Sequence, residues 1–206
     1  PTDARSAGFL NDGAALVTSC AQAKTPGVGD GARSLPEAAR LLYDSGGTVA
    51  FARPMTIGAG GAAIALSGGP TSGVLTVVAY GVAVDGHALQ VGSKAGVEVL
   101  GLSVRNLASP IGVPNGSNAT FLDLELRDGA GLAVTGAVTL ERVRMSGCSG
   151  RCVEMLDAAG EDTITIRYSE FLSTGSGVAL DLRQCRANRL ALDAQTDHAR
   201  RLLERL

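Results

Sequence analysis

A strand-forming motif recurs along the middle of the chain, and this repeat constrains the fold more than any other feature. The clearest copies are Val97–Asn106 (VEVLGLSVRN) and Ala119–Asp128 (ATFLDLELRD), and related segments begin at Leu75, Val138 and Ile164. The five start positions are about 22, 22, 19 and 26 residues apart. A short strand that repeats at this period predicts an all-β solenoid, in which each repeat forms one turn and stacks on the next.

Apolar and polar side chains alternate within each repeat, which is the pattern of a strand with one buried face. The apolar members of the alternation are therefore expected to point into the solenoid and to stack on their equivalents in the next turn. The predicted inward residues are Val97, Val99, Leu102, Val104, Phe121, Leu124, Leu126, Leu140, Val143, Met145, Ile166 and Phe171.

The intervening polar side chains are expected to face solvent. Equivalent residues of adjacent turns lie about 4.8 Å apart, so the predicted register places Asp123 beside Arg142 and Arg105 beside Arg127. Opposite charges in one column help to fix the register, and each exposed pair contributes about 0–1 kcal/mol. A further outward column is predicted from Ser103, Glu125, Arg144 and Glu170.

The composition agrees with a narrow, stacked interior. The chain has 206 residues, which fits one domain, with 28 Gly, few aromatic residues and no Trp. Small aliphatic side chains fill such an interior, and Gly permits sharp corners between short strands. The net charge is −2 with no run of like charges, so nucleic acids and anionic membranes are poor candidate partners. No apolar stretch approaches the roughly 18 residues that a membrane-spanning helix needs.

The four cysteines favour an exported, oxidised protein. They are Cys20, Cys148, Cys152 and Cys185, and four cysteines allow three disulfide connectivities. We favour Cys148–Cys152, because the segment CSGRC contains a Gly at a predicted turn, and this leaves Cys20–Cys185 as the second pair. A zinc site is the alternative, but the spacing lacks a paired C-x2-C and neither His is near a Cys in sequence, so no metal is predicted.

Residues 34–45 (SLPEAARLLYDS) form the clearest helical segment. Ser34 can cap its N-terminus, and Glu37 completes a capping box. An amphipathic helix before the first full turn would cover the open, apolar end of the solenoid. The predicted apolar face of this helix is Leu35, Ala38, Leu41 and Leu42.

The chain divides into three segments on this interpretation. Residues 1–33 form an extended N-terminal segment, residues 34–193 the solenoid with its cap helix, and residues 194–206 a C-terminal amphipathic helix. That last helix could cover the other end of the solenoid or bind a partner protein. Its apolar stripe, at helical spacing, consists of Ala199, Leu202, Leu203 and Leu206.

The order of these segments resembles the entry region of secreted right-handed parallel β-helix proteins of the pectate-lyase-like superfamily. The resemblance rests on a short strand ending in Cys20, the SLPEAARLLYDS helix and the GGTVAF segment at 46–51, and it extends over about 17–183. It implies a short right-handed single-stranded parallel β-helix with an N-terminal cap helix and a C-terminal amphipathic helix. It also implies a secreted, periplasmic or cell-surface location. Activity does not follow, because that superfamily mixes lyases, hydrolases, epimerases and non-catalytic surface proteins.

No complete catalytic set is recognisable in the sequence. Asp85-Gly86-His87 is the nearest fragment to a hydrolase signature, but Asp-Gly at a corner is more typical of a turn. A polysaccharide lyase needs a base, often Arg, Lys or Tyr, and a cation such as Ca²⁺ held by carboxylates. The candidate residues for such a face are Arg105, Glu125, Arg127 and Arg144, with Ser103, Asp123, Arg142, Tyr168 and Glu170 as candidate binding residues.

Two functions follow from these patterns. The preferred one is a non-catalytic exported module that binds a protein partner or a polysaccharide, without a cofactor. The alternative is a polysaccharide lyase or related carbohydrate-active enzyme on the outward Arg/Glu face, and only in that case is Ca²⁺ expected.

Overall fold

The computed structural model describes residues 9–10, 14–18, 34–42, 45–58, 64–66, 73–92, 95–156, 163–173, 179–181 and 190–193. It contains one short helix, α1 (Leu35–Leu41), among short strands. The strands are β1 (Phe9–Leu10), β2 (Ala14–Val17), β3 (Gly47–Phe51), β4 (Met55–Ile57), β5 (Ile64–Leu66), β6 (Leu75–Asp85), β7 (Leu89–Val91), β8 (Val97–Leu107), β9 (Ile111–Val113), β10 (Asn118–Leu122), β11 (Glu125–Gly129), β12 (Leu132–Val134), β13 (Ala137–Glu141), β14 (Arg144–Cys148), β15 (Val153–Met155), β16 (Ile164–Arg167), β17 (Glu170–Ser173), β18 (Leu180–Asp181) and β19 (Leu190–Asp193).

The strands stack as a parallel β-solenoid, as the repeat predicts. One sheet runs in the order β1-β2-β3-β6-β8-β10-β13-β16-β19, with β4, β11, β14 and β17 joined beside it. A second sheet runs β18-β15-β12-β9-β7-β5. Among the described strands, only the β1–β2 pair is antiparallel. Sequence-distant strands are thus neighbours because each turn returns to the same face.

Each turn contributes three runs of strand, which define three faces. Face 1 is formed by β3, the first half of β6 and β8, then β10, β13, β16 and β19. Face 2 is formed by β4, the second half of β6 and β8, then β11, β14 and β17. Face 3 is the second sheet. Because β6 and β8 pass through the corner without a break, faces 1 and 2 belong to one sheet.

The core lies between the three faces and includes the residues that the alternation predicts. Val99, Phe121, Leu140 and Ile166 follow one another in register on face 1, and each is at most 5% exposed. Burying one such side chain contributes about 1.5–3 kcal/mol. The predicted inward residues are all buried, except that Phe171 is partly buried against the core.

The corner between faces 1 and 2 has the same backbone geometry in successive turns. Gly101, Asp123, Arg142 and Tyr168 occupy it, with φ of 72°, 54°, 53° and 52°. A residue in the left-handed conformation interrupts the alternation of inward and outward side chains along the strand. The residue that follows the corner therefore points into the core again. We call these four residues and the Tyr80 side chain beside them the corner strip.

Helix α1 begins as the capping box predicts but is shorter than residues 34–45. The Ser34 hydroxyl accepts a hydrogen bond from the backbone N–H of Glu37, whose carboxylate in turn accepts from the Ser34 backbone N–H. The predicted apolar face is wrong at one position, because Leu41 is 47% exposed and Ala39 is buried in its place. The helix packs against β2 and β5.

The predicted Cys148–Cys152 disulfide is present. Both cysteines are fully buried, while Arg151 in the loop between them reaches face 3. Its guanidinium pairs with Glu154 and, at 2.7 Å, with Asp181. Closing so short a loop contributes about 2 kcal/mol by restricting the unfolded chain.

Several predictions lie outside the described residues. These are the second disulfide, the C-terminal helix at 194–206 and most of the segment 1–33. The residues concerned are Cys20, Cys185, Ala199, Leu202, Leu203 and Leu206.

Candidate functional site

Face 2 carries the predicted outward column in the predicted register. Glu125 pairs with Ser103 on one side and with Arg144 on the other, and Arg144 pairs with Glu170. Arg105 and Arg127 are likewise neighbours in adjacent turns. The sequence pattern therefore brings the candidate residues of this face together, because outward positions of successive strands must share a surface.

The ion pairs of face 2 differ in detail from a simple ladder. Glu125 binds Arg127, two residues along its own strand, with its Oε1 at 2.9 Å from Nε and 2.5 Å from Nη2. Arg144 instead pairs with Glu170, at 3.1 Å between Nε and Oε2. Residues i and i+2 of a strand share a face, so pairing within a strand competes with pairing between turns.

The corner strip carries the most connected group of polar side chains on this surface. Arg142 donates from Nε to Asp123 Oδ1 at 2.7 Å and from Nη2 to Oδ2 at 3.3 Å. Its Nη1 reaches Glu141 Oε1 at 2.5 Å. The predicted contact of Asp123 with Arg142 is thus present, and one guanidinium holds two carboxylates.

Tyr80 completes this group, and the sequence interpretation missed it. Its hydroxyl donates to Asp123 Oδ2 at 2.8 Å. A Cβ added to Gly101 would lie 2.3, 2.5 and 2.6 Å from three consecutive ring atoms of Tyr80, so one ring face stacks directly on that glycine. The side chain nevertheless remains 58% exposed. The ring is therefore held flat on the surface by a glycine beneath it and a carboxylate at its tip.

A signal for this placement exists in the sequence spacing. The turn that contains Tyr80 has extra corner residues, since Val78 pairs with Leu100 and Val82 with Leu102. Three residues of β6 therefore lie opposite Gly101 alone. A corner insertion opposite a glycine leaves a large side chain room to fold back over the neighbouring turn.

The pKa shifts of the corner strip follow from its hydrogen bonds. The Arg142 guanidinium, and then the Tyr80 hydroxyl, lower the pKa of Asp123. Hydrogen bonding to Asp123 raises the pKa of Tyr80 and also that of Arg142. A Tyr or Arg that acts as a base near neutral pH needs a lowered pKa. Both residues are shifted in the opposite direction.

Tyr168 lies at the far end of the corner strip. It is 52% exposed and adopts φ 52°. Four strand spacings of about 4.8 Å separate its turn from that of Tyr80, so the strip is about 19 Å long. Between the two tyrosines lie the Asp123–Arg142 pair and, one column away on face 2, Glu125 and Arg144.

Face 1 presents a different outward surface. One column contains threonines interrupted by Glu98, which accepts a hydrogen bond from Thr76 Oγ1 at 3.3 Å. The parallel column begins with aliphatic side chains and continues with Glu141 and Arg167. The threonine column consists of Thr48, Thr76, Thr120, Thr139 and Thr165.

The described part of the chain contains neither a cluster of metal-binding side chains nor a membrane-spanning helix. No three His, Cys, Asp or Glu side chains there lie close enough together to hold a metal ion. No helix among these residues has the length and apolar character to cross a membrane.

Comparison with protein-family models, with curated proteins and with solved structures gives no match.

Proposed function

We propose that this chain is a non-catalytic, exported binding module and that its corner strip, together with face 2, binds a glycan. The observation that carries the proposal is the immobilised ring of Tyr80, which stacks on Gly101 and stays 58% exposed. The negative face of an aromatic ring attracts the C–H groups of a sugar ring. A ring already fixed in place binds with little further loss of conformational entropy.

The surroundings of Tyr80 support a glycan more than a protein partner. A protein interface usually has an apolar centre from which charged residues are depleted. The corner strip is instead charged along its middle, where the partly exposed Asp123 and the exposed Arg142 lie between the two tyrosines. Exposed carboxylates and guanidinium groups offer many acceptors and donors to sugar hydroxyl groups.

We propose a non-catalytic role because the candidate bases have raised pKa values and the candidate acid is held in an ion pair. The pKa values of Tyr80 and Arg142 are raised, which disfavours both as bases. Glu125, an acid of the predicted lyase face, is engaged by Arg127 on the same strand. In this proposal these side chains shape the surface and form hydrogen bonds with a ligand, and they do not take part in a reaction.

Export and end-capping form part of the same proposal. The Cys148–Cys152 disulfide supports an oxidising location. Helix α1 contacts β5, the terminal strand of the second sheet, which supports its role as the cover of the N-terminal end. A right-handed coil related to the pectate-lyase-like β-helices agrees with the parallel stacking.

A glycan array followed by calorimetry tests the binding function. We expect the wild-type protein to bind at least one glycan, and Tyr80→Ala to weaken that binding by about tenfold or more. Leu41→Ala is the matched control, since it also removes an exposed apolar side chain, which lies on helix α1. We expect this variant to bind like the wild type.

Three results would contradict the proposal. The first is no glycan binding, including the case in which the protein binds another protein instead. The second is equal binding by wild type and Tyr80→Ala. The third is a rise in ultraviolet absorbance on pectate, alginate or a glycosaminoglycan, with or without Ca²⁺, because that signal reports the unsaturated product of a lyase.

A further inference from the structure

We infer that the glycan bound by the corner strip and face 2 is neutral and is not a uronate polymer; this inference rests on the proposed function. Arg127, Arg142 and Arg144 are each paired with a carboxylate of the chain itself. A uronate carboxylate could bind any of them only by displacing, or sharing, an anion that is already in place.

The carboxylates near these arginines further favour a neutral glycan over a uronate polymer. Asp123, Glu125 and Glu170 surround the paired cations, and Glu141 reaches Arg142 from the adjoining face 1. An ionised carboxylate only accepts hydrogen bonds, whereas a sugar hydroxyl both donates and accepts. A neutral sugar can therefore donate to these oxygens while their ion pairs remain intact. A uronate offers no donor at its carboxylate and places a like charge beside them.

Arg105 is the exception that makes the inference testable. Among the described residues it has no ion-pair partner, although its neighbours in register are Asp85 and Arg127. A single exposed guanidinium gives only a weak anion site. If Arg127 also lost its carboxylate, two unpaired arginine side chains would project from neighbouring strands whose backbones lie about 4.8 Å apart. Such a pair is suited to a carboxylate, since guanidinium groups bind it with directed hydrogen bonds.

The first experiment compares glycans that share a backbone and differ in charge at the carboxyl position. Each probe pair shares one backbone, for example polygalacturonate with its fully methyl-esterified form, and glucuronan with cellulose oligomers. We expect every bound backbone to be bound about tenfold more tightly in its neutral form at low salt. Equal or tighter binding of the acidic forms would overturn this inference and leave the glycan-binding function intact. No binding of any probe would overturn this inference, and no binding of any glycan on the array would overturn the proposed function as well.

The second experiment removes one carboxylate so that the surface can bind an acidic glycan. Glu125→Gln removes the anion from Arg127 but keeps the side-chain shape, and we expect binding of the acidic probes to increase about tenfold and to weaken with added salt. Glu98→Gln on face 1 makes the same change in net charge away from this surface, and we expect no increase. An equal increase in both variants would show that total charge, and not the ion pair of face 2, sets the selection. No increase in Glu125→Gln would show that the Arg127 pair does not exclude uronates.

Discussion

At the scale of single residues, Gly101 determines whether the Tyr80 ring can lie on the surface. It meets two separate demands, since its φ of 72° favours glycine and its missing side chain leaves room for the ring. Equivalent corner positions carry Asp, Arg and Tyr at similar φ. The backbone geometry alone therefore does not require glycine here, and the contact with Tyr80 does.

Gly101→Ala is predicted to destabilise the protein more than its backbone strain explains. Gly116→Ala is the matched control, because Gly116 has φ 68° with nothing within 4 Å of an added Cβ. Each substitution costs about 1–2 kcal/mol for the left-handed backbone. We expect Gly101→Ala to lose about 1 kcal/mol more, since the methyl group displaces the ring and its hydrogen bond to Asp123. Urea unfolding measures both, and equal losses would contradict the stacked ring.

Asp123 gives the corner strip a defined pH dependence. Its pKa is lowered in the folded state, first by Arg142 and then by Tyr80. A lowered carboxyl pKa contributes stability that is fully present above the unfolded value of about 3.9 and is lost as pH falls through the folded value. The stability difference between wild type and Asp123→Asn should therefore be constant near neutral pH and shrink below about pH 4. We choose Asn because it tolerates positive φ. A difference that is constant down to acid unfolding would contradict the pairing.

At the scale of elements, the corner between faces 1 and 2 holds one bulky residue in a strained backbone conformation. Tyr168 is a bulky residue at φ 52°, although glycine, Asn or Asp would adopt this geometry more easily. Residues kept in such conformations are often retained for their side chains. On the proposed function, the side chain retained here is an exposed ring at the end of the glycan surface.

Tyr168→Asn is accordingly predicted to stabilise the protein by about 0.5–1 kcal/mol while weakening glycan binding. Asn relieves the strain of the left-handed backbone, and Tyr168 is half-exposed, so little packing is lost. Thr165→Asn is the control, because Thr165 lies within β16 on face 1, where Asn disfavours the strand. Thermal unfolding should show a higher Tm for Tyr168→Asn and a lower one for Thr165→Asn. A lower Tm for both would show that the tyrosine is packed and not strained.

At the scale of the whole molecule, the repeat predicted the architecture because a solenoid is specified locally. The inward column through Val99, Phe121 and Leu140 could be read from alternation alone. The stacking of Tyr80 on Gly101 could not, since it depends on how an insertion in one turn meets the backbone of the next. The sequence also could not predict whether Glu125 forms its ion pair with Arg127 or with Arg144. The register places both arginines close to Glu125, and the side-chain conformations determine which one it binds.

The same locality predicts how core substitutions combine. Val99 and Phe121 are direct neighbours in register, whereas Val99 and Ile166 are separated by three strand spacings, about 14 Å. In a stacked array, stability is a sum of turns and nearest-neighbour interfaces. We expect Val99→Ala with Phe121→Leu to show a coupling of at least about 0.5 kcal/mol, and Val99→Ala with Ile166→Val to be additive within about 0.3–0.5 kcal/mol. Urea unfolding of both double-mutant cycles measures this. Equal couplings would contradict this prediction, because they would mean that the core responds as one body across turns.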